Sequence, residues 1–196
     1  MVGTADVRTY LAKDCIAFRK TNEAFGGLSN MAPGFPIEIL GTKILTAEAL
    51  YQACRFPGHP ALQHDIIAQH SPMCAKDLSR RYQYLTRPDW EGVRVKIMKW
   101  SLRAKLLCNW DKFGELLKST GTKIIVEDSS RDLFWGAARK GLTYTGVNAL
   151  GRLLMELRGQ YLELERRDHV QLLPLNIPDF LLLGQLIETL NHEMLK

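Results

Sequence analysis

The sequence predicts a mainly helical α+β domain with a few short strands, on three observations. After Pro88 and Asp89, Val93, Ile97, Trp100, Ala104 and Leu107 recur at spacings of four, three, four and three, the buried stripe of a long helix. Val147, Leu150, Leu154, Leu157, Tyr161 and Leu164 form a second such stripe, on a helix expected from about 147 to 165. Between them "KIIVED" at 123–128 is a compact apolar run ending in acids, which fits a strand.

The remaining elements follow in chain order. Residues 1–14 have weak pattern and are expected to be a loosely held N-terminal segment. "CIAFRK" at 15–20 reads as a short strand, and "EAFGGLSNMAPGFP" after it as a shaped loop. "IEILGTKIL" gives two short strands turning at Gly41. Thr46 suits a helix N-cap, so "TAEALYQACRF" opens a helix of roughly ten residues. "FPGHPAL" breaks it, and two shorter helical pieces follow near 61–70 and 72–82. "DKFGELLKST" is another short helix, and "SSRDLFWGAARKGLTYTGVNALG" a second, glycine-rich shaped loop. "DHVQLLPLNIPD" reads as a linker. Phe180, Leu183, Ile187, Leu190 and Met194 would give a terminal helix an apolar face needing a partner, either its own domain or a second subunit. The expected organisation is therefore 1–14, a domain over 15–165, and a linker with a C-terminal helix over 166–196.

Composition narrows the function classes. With 196 residues, 46% apolar and 24% charged, the chain reads as a soluble globular protein. The formal charge of +5 is compatible with an anionic ligand such as a phosphate ester or nucleic acid. Cys15, Cys54, Cys74 and Cys108 form no CxxC pair and read as reduced, intracellular residues. No apolar run is long enough to span a bilayer, and a cytoplasmic location is expected. His59, His64 and His70, spaced by five and six, do not line one helix face, and no metal site is expected.

The carboxylates carry more. Glu48 falls in the first turn of its helix, where unpaired N–H groups favour the ionised form, and Gln52 and Arg55 share its side. That pattern describes either a favourably placed surface charge or a fixed carboxylate in a site. Asp132 stands before Phe134 and Trp135 in a glycine-rich loop, which fits a pocket for a flat ring or an Asp capping a turn. Trp90 is a core anchor or a pocket wall. The loop with Gly26, Gly27, Ser29 and Asn30 offers backbone N–H groups to a phosphate.

Taken in order, "FGGLSN", "TAEALYQACRF", the Trp90 to Lys105 segment with "LRAK", Asp132 with "FWG", and "GVNALGRLLMELR" resemble the NADAR family over about residues 15–162. The resemblance implies an N-glycosidase that hydrolyses a ribose C1–N bond without metal or redox cofactor. Its substrate classes would be ADP-ribose joined to guanine in nucleic acid, or phosphorylated ribosylamino intermediates of riboflavin synthesis. The first activity would pair with an ADP-ribosyltransferase toxin. A non-catalytic module that binds ADP-ribose is the other class. The resemblance places the family's glutamate on Glu48, its aspartate on Asp132 and its tryptophan on Trp90, and matches Lys105, Trp135, Asn148 and Gly151. Glu48 would stabilise the oxocarbenium-like sugar and accept a proton from water, with Asp132 orienting the ribose or water. Trp90 and Trp135 would shape the base pocket, and Arg55 with Gly27, Ser29 and Asn30 would hold phosphate. Ala49 and Leu50 stand where the family often has His and an aromatic, and 137–146 lacks the "GxGKN" run of riboflavin-type members. Both departures leave the bond-breaking role open and weaken transfer of the riboflavin substrate; ADP-ribosyl guanine in DNA is the expected substrate.

Overall fold

The computed structural model describes residues 6–163 and 170–191. In chain order the elements are β1 (Arg8–Leu11), β2 (Cys15–Phe18), β3 (Ile37–Ile39), β4 (Thr42–Ile44), α1 (Ala47–Ala53), α2 (Pro60–Ile67), α3 (Pro72–Arg81), α4 (Trp90–Cys108), α5 (Trp110–Ser119), β5 (Ile124–Glu127), β6 (Ala138–Lys140), β7 (Thr143–Gly146) and α6 (Ala149–Glu163). Four two-residue strands follow, β8 (Gln171–Leu172), β9 (Leu181–Leu182), β10 (Gln185–Leu186) and β11 (Leu190–Asn191). The class is the expected mainly helical α+β. The chain divides into two compact units, whose described parts are 6–29 with 111–163, and 30–110 with 170–191.

In the first unit β2 and β5 pair in parallel, Cys15 opposite Ile124 and Phe18 opposite Glu127. Helix α6 packs on β5. An antiparallel sheet in the order β1-β7-β6 lies in the same unit. Tyr10, Tyr144, Val126 and Ala137 form a buried cluster there. This corrects two expectations. The N-terminal segment is not loose from residue 8 onward, because β1 pairs with β7 along its whole length. Its sequence hides the strand, since only Tyr10 of its four residues is buried. The glycine-rich stretch after Gly136 also holds two strands, β6 and β7, turning at Gly141.

In the second unit α1 is the central element, packed by α2, α3 and α4. All seven of its residues are buried. Thr46 Oγ1 accepts the Ala49 N–H at 3.2 Å, the expected cap. The β3–β4 hairpin turns at Leu40 and Gly41, both with positive φ, as a two-residue turn of that kind requires. Helix α4 buries Val93, Ile97, Trp100, Ala104 and Leu107, the stripe read from the sequence.

Among the described residues the expected C-terminal helix is absent. Described residues 170–191 form two short antiparallel pairs, β8 with β11 and β9 with β10. Leu183 and Gly184 have φ of 54° and 79°, so they make a tight hairpin turn in the middle of the proposed helix. Phe180, Ile187 and Leu190 are buried as their pattern demanded, but on strands and loops. Phe180 meets Trp100 edge-on at 5.0 Å, and the Trp100 indole N–H donates to the Leu173 carbonyl at 2.9 Å. Met194 and Leu164, also assigned to helix stripes, lie outside the described residues.

Candidate functional site

The second unit holds Asn30, Glu48, Arg55, Trp90 and Lys105, and the first holds Gly27, Ser29, Asp132, Trp135 and Asn148. Glu48 is the most constrained of them. It is 3% exposed, so it faces the protein interior and not solvent. Both carboxylate oxygens accept side-chain amides. Gln52 Nε2 donates to Oε1 at 2.8 Å, and Asn30 Nδ2 donates to Oε2. The Asn30 carbonyl in turn accepts the Glu48 N–H at 2.9 Å, so Asn30 clamps the residue at backbone and side chain. Gln52 Oε1 accepts the Ser79 hydroxyl at 2.5 Å. Asn30, Glu48, Gln52 and Ser79 are thus one buried hydrogen-bonded chain.

Burial pushes the Glu48 carboxyl above the usual carboxylate range. Lys76, Gln52, Arg80 and Asn30 oppose that shift, and burial outweighs them. The expected cause of ionisation is therefore corrected. In α1's first turn the Glu48 and Ala49 N–H groups are taken by the Asn30 carbonyl and Thr46 Oγ1. The carboxylate is favoured by two amides and by Lys76 and Arg80 of α3, and its proton affinity exceeds that of a surface glutamate.

One turn along α1, Tyr51 packs on Trp90 with ring centroids 5.0 Å apart. The Arg55 guanidinium lies 5.3 Å from the Trp90 ring and 5.8 Å from Phe56. Its Nε donates to Thr86 Oγ1 at 2.7 Å. Burial lowers the Arg55 pKa and raises that of the Tyr51 hydroxyl, which Glu48 raises further. Tyr51, Trp90 and Arg55 therefore form one packed run, with Glu48 near enough to act on the Tyr51 hydroxyl. Lys105 stands apart from Trp90, about 22 Å along α4 at 1.5 Å per residue. It is fully buried, with Nζ 4.5 Å from the Phe35 ring centroid. Burial holds the Cys54 thiol up at about 12, which excludes it as a thiolate at neutral pH.

In the first unit the motif residues build a helix cap. Asp132 Oδ1 accepts the Phe134 and Trp135 N–H groups at 3.1 and 3.0 Å, nucleating a turn. The carbonyls of Leu133, Phe134 and Trp135 then accept the N–H groups of Val147, Ala149 and Leu150 at the start of α6. Asn148, with φ 52°, donates Nδ2 to the Ile125 carbonyl at 2.8 Å and accepts the Glu127 N–H at 3.2 Å. Its amide is engaged by the β5 backbone on both sides. Gly26 to Leu28 form a single 3₁₀ turn ahead of buried Ser29. Among the described residues no group of three His, Cys, Asp or Glu is placed to hold a metal, and no helix is long and apolar enough to cross a membrane.

Gln52 carried a readable signal, since it follows Glu48 by four residues on the same helix face. Ser79, Lys76 and Arg80 carried none, because α3 is distant in sequence and its approach to α1 is a tertiary fact.

The NADAR domain matches residues 17–162. The chain belongs to the NADAR family. It is 34% identical over 148 residues to the Escherichia coli N-glycosidase YbiA, covering 74% of this chain and 87% of that protein. The NMR structure of YbiA superposes with a TM-score of 0.66, covering 79% of this chain and 90% of that one. A riboflavin biosynthesis protein of Vibrio vulnificus is 35% identical over 158 residues, 81% of this chain. The NADAR chain spans only 41% of the Vibrio protein and 25% of a comparable maize protein.

Proposed function

We propose that the chain uses the N-glycosidase chemistry of its family to remove ADP-ribose from guanine bases in DNA, with Glu48 as the reacting carboxylate. The observation that carries this reading is the buried Glu48 carboxyl, held by two amides and raised in proton affinity. As the C1–N bond breaks, its electron pair leaves with the base and positive charge grows on the ribose. A fixed anion stabilises that charge, the same anion accepts the proton of the water that attacks C1, and the departing base nitrogen takes up a proton, so that water is divided between ribose and base. A general base works best when its pKa lies near the operating pH, so the upward shift suits Glu48 to the task. Lys76 and Arg80 bring positive charge toward the same carboxyl and suit a phosphate-bearing substrate. The basic balance of +5 points the same way. Trp90, Tyr51 and Arg55, in the same unit as Glu48, fit a wall for a flat ring.

A second reading is supported by the 35% identity to a riboflavin biosynthesis protein. In it the same carboxylate would cleave a phosphorylated ribosylamino intermediate. The test is a substrate panel: ADP-ribosylated guanine in single-stranded DNA, free NAD, and a ribosylamino phosphate, with products identified by mass. Release of ADP-ribose with intact guanine is expected, and Glu48→Gln should lower the rate by about 10²–10⁴-fold. Turnover of the ribosylamino phosphate alone would move the assignment to the second reading. A Glu48→Gln protein at near full rate would remove Glu48 from the chemistry.

A further inference from the structure

A carboxamide presents donors at one end and an acceptor at the other. An ionised Glu48 only accepts, so Gln52 must turn its –NH₂ end toward Oε1, where the contact is 2.8 Å. That orientation fixes where Gln52 Oε1 lies, inside a region where the residue is 5% exposed. A carbonyl oxygen buried there needs a donor. Ser79 supplies one from α3, its hydroxyl 2.5 Å from Gln52 Oε1 and its side chain fully buried. Ser79 thus reaches Glu48 through Gln52.

We propose that Ser79 is a positioning residue: by donating to Gln52 it fixes that carboxamide with its –NH₂ toward Glu48, and so favours the ionised carboxylate that bond cleavage uses. The proposal rests on the N-glycosidase reading of Glu48. Without the hydroxyl, the Gln52 carbonyl is left without its donor. The amide can then rotate to accept a proton from a neutral Glu48, which favours the protonated form. The charges around Glu48 are separate from this relay. Lys76 and Arg80 face it from α3, and Tyr51 from α1. Arg94 and Glu91 of α4 act on Tyr51, as does Arg55. Elements α2 and β4, also packed on α1, carry His64, Asp65 and Lys43 on exposed positions.

The experiment is a carboxyl ¹³C NMR titration of Glu48, assigned against Glu48→Gln, in wild type, Ser79→Ala, Gln52→Leu and the double variant, with turnover measured across pH. Ser79→Ala should move the Glu48 midpoint upward and lower turnover on the acid side by about two- to tenfold, the scale of one hydrogen bond. In the Gln52→Leu background, Ser79→Ala should add no further shift. An unchanged midpoint in Ser79→Ala, or an equal added shift with and without Gln52, overturns the proposal. Ser79→Cys keeps a weak donor at similar size and should fall between wild type and Ser79→Ala, and it carries the test if Ser79→Ala does not fold. The midpoint is read whether or not substrate turns over. A wild-type protein inactive on the whole panel therefore overturns the N-glycosidase reading, while the titration still decides whether Ser79 acts through Gln52.

Discussion

Gln52 lies one helical turn beyond Glu48 on α1, and its Nε2 donates to Glu48 Oε1 at 2.8 Å. The bond joins two side chains that are both buried, so it works where charge is costly and hydrogen bonds are strong. A carboxylate placed there without donors would simply protonate. With Asn30, Gln52, Lys76 and Arg80 around it, ionisation is opposed by burial and supported by four partners. The competition leaves the group raised in pKa, which has a cost in stability as well as a use in chemistry.

That cost is measurable. Glu48 holds its proton more tightly folded than unfolded, because burial raises its pKa. The sign follows directly: its contribution to stability is fully present below the ordinary carboxylate range and is lost as pH rises through the folded value. Comparing wild type with Glu48→Gln cancels every other titrating group to first order. The melting temperature of wild type relative to Glu48→Gln is expected to fall as pH rises from about 4 toward neutrality. A difference that stays flat, or grows, across that range would mean that the carboxyl is not raised.

Arg55 offers a second test, on geometry rather than charge. Its Nε bond to Thr86 and its approach to the Trp90 ring are made together by one planar guanidinium, a pairing that a lysine ammonium does not reproduce. Arg55→Lys keeps the charge and loses both contacts, at an expected cost of about 1–2 kcal/mol in urea unfolding. Thr86→Val removes only the hydrogen bond. The double variant should lose less than the two single losses combined, by about 0.5–1.5 kcal/mol. Strict additivity would show that Arg55 and Thr86 do not share the bond.

The helices were legible because their signals are local. The α4 stripe and the Thr46 cap depend on spacing within one segment, and Val93, Ile97 and Trp100 are buried as that spacing implies. Strand β1 was not legible, since Arg8, Thr9 and Leu11 are exposed and its partner β7 lies more than 130 residues away. The C-terminal segment misled for a different reason. Phe180, Leu183, Ile187 and Leu190 satisfy a helical period, but Gly184 interrupts it, and with Leu183 in a left-handed conformation the chain turns back on itself. At the candidate site, Glu48 and its neighbour Gln52 could be placed on one helix face. That face could not be placed inside the protein, because burial of α1 is decided by α2, α3 and α4. Of the two readings open for Glu48, the surface charge is excluded, since the carboxylate is buried and amide-bonded.

Asn148 separates a binding role from a structural one. Its side chain bridges both sides of the β5 backbone while its own backbone sits at φ 52°. Asn148→Ala loses both hydrogen bonds and puts alanine, which tolerates the left-handed conformation less well than asparagine, at that φ, at an expected cost of about 2–4 kcal/mol. Asn148→Gly relieves the conformation and not the bonds, so it should cost less. If Asn148→Ala melts with wild type and loses only substrate affinity, the residue binds substrate and its contacts to β5 are incidental.

The two glycines of α6 should respond oppositely to the same substitution. A methyl group on Gly151 would run into the Ile125 carbonyl and the Asn148 side chain, the very atoms that join the helix to β5. Backbone cannot yield there without breaking the Asn148 bridge, so Gly151→Ala should cost more than about 2 kcal/mol. A methyl group on Gly159 would meet nothing within 4 Å. There the change only replaces a poor helix former with the best one, and Gly159→Ala should stabilise by about 0.5–1 kcal/mol. Thermal melts of the two variants would read both signs. Destabilisation by both would mean that the helix is sensitive to any added methyl group, and tolerance of both would mean that α6 does not approach β5 closely at Gly151.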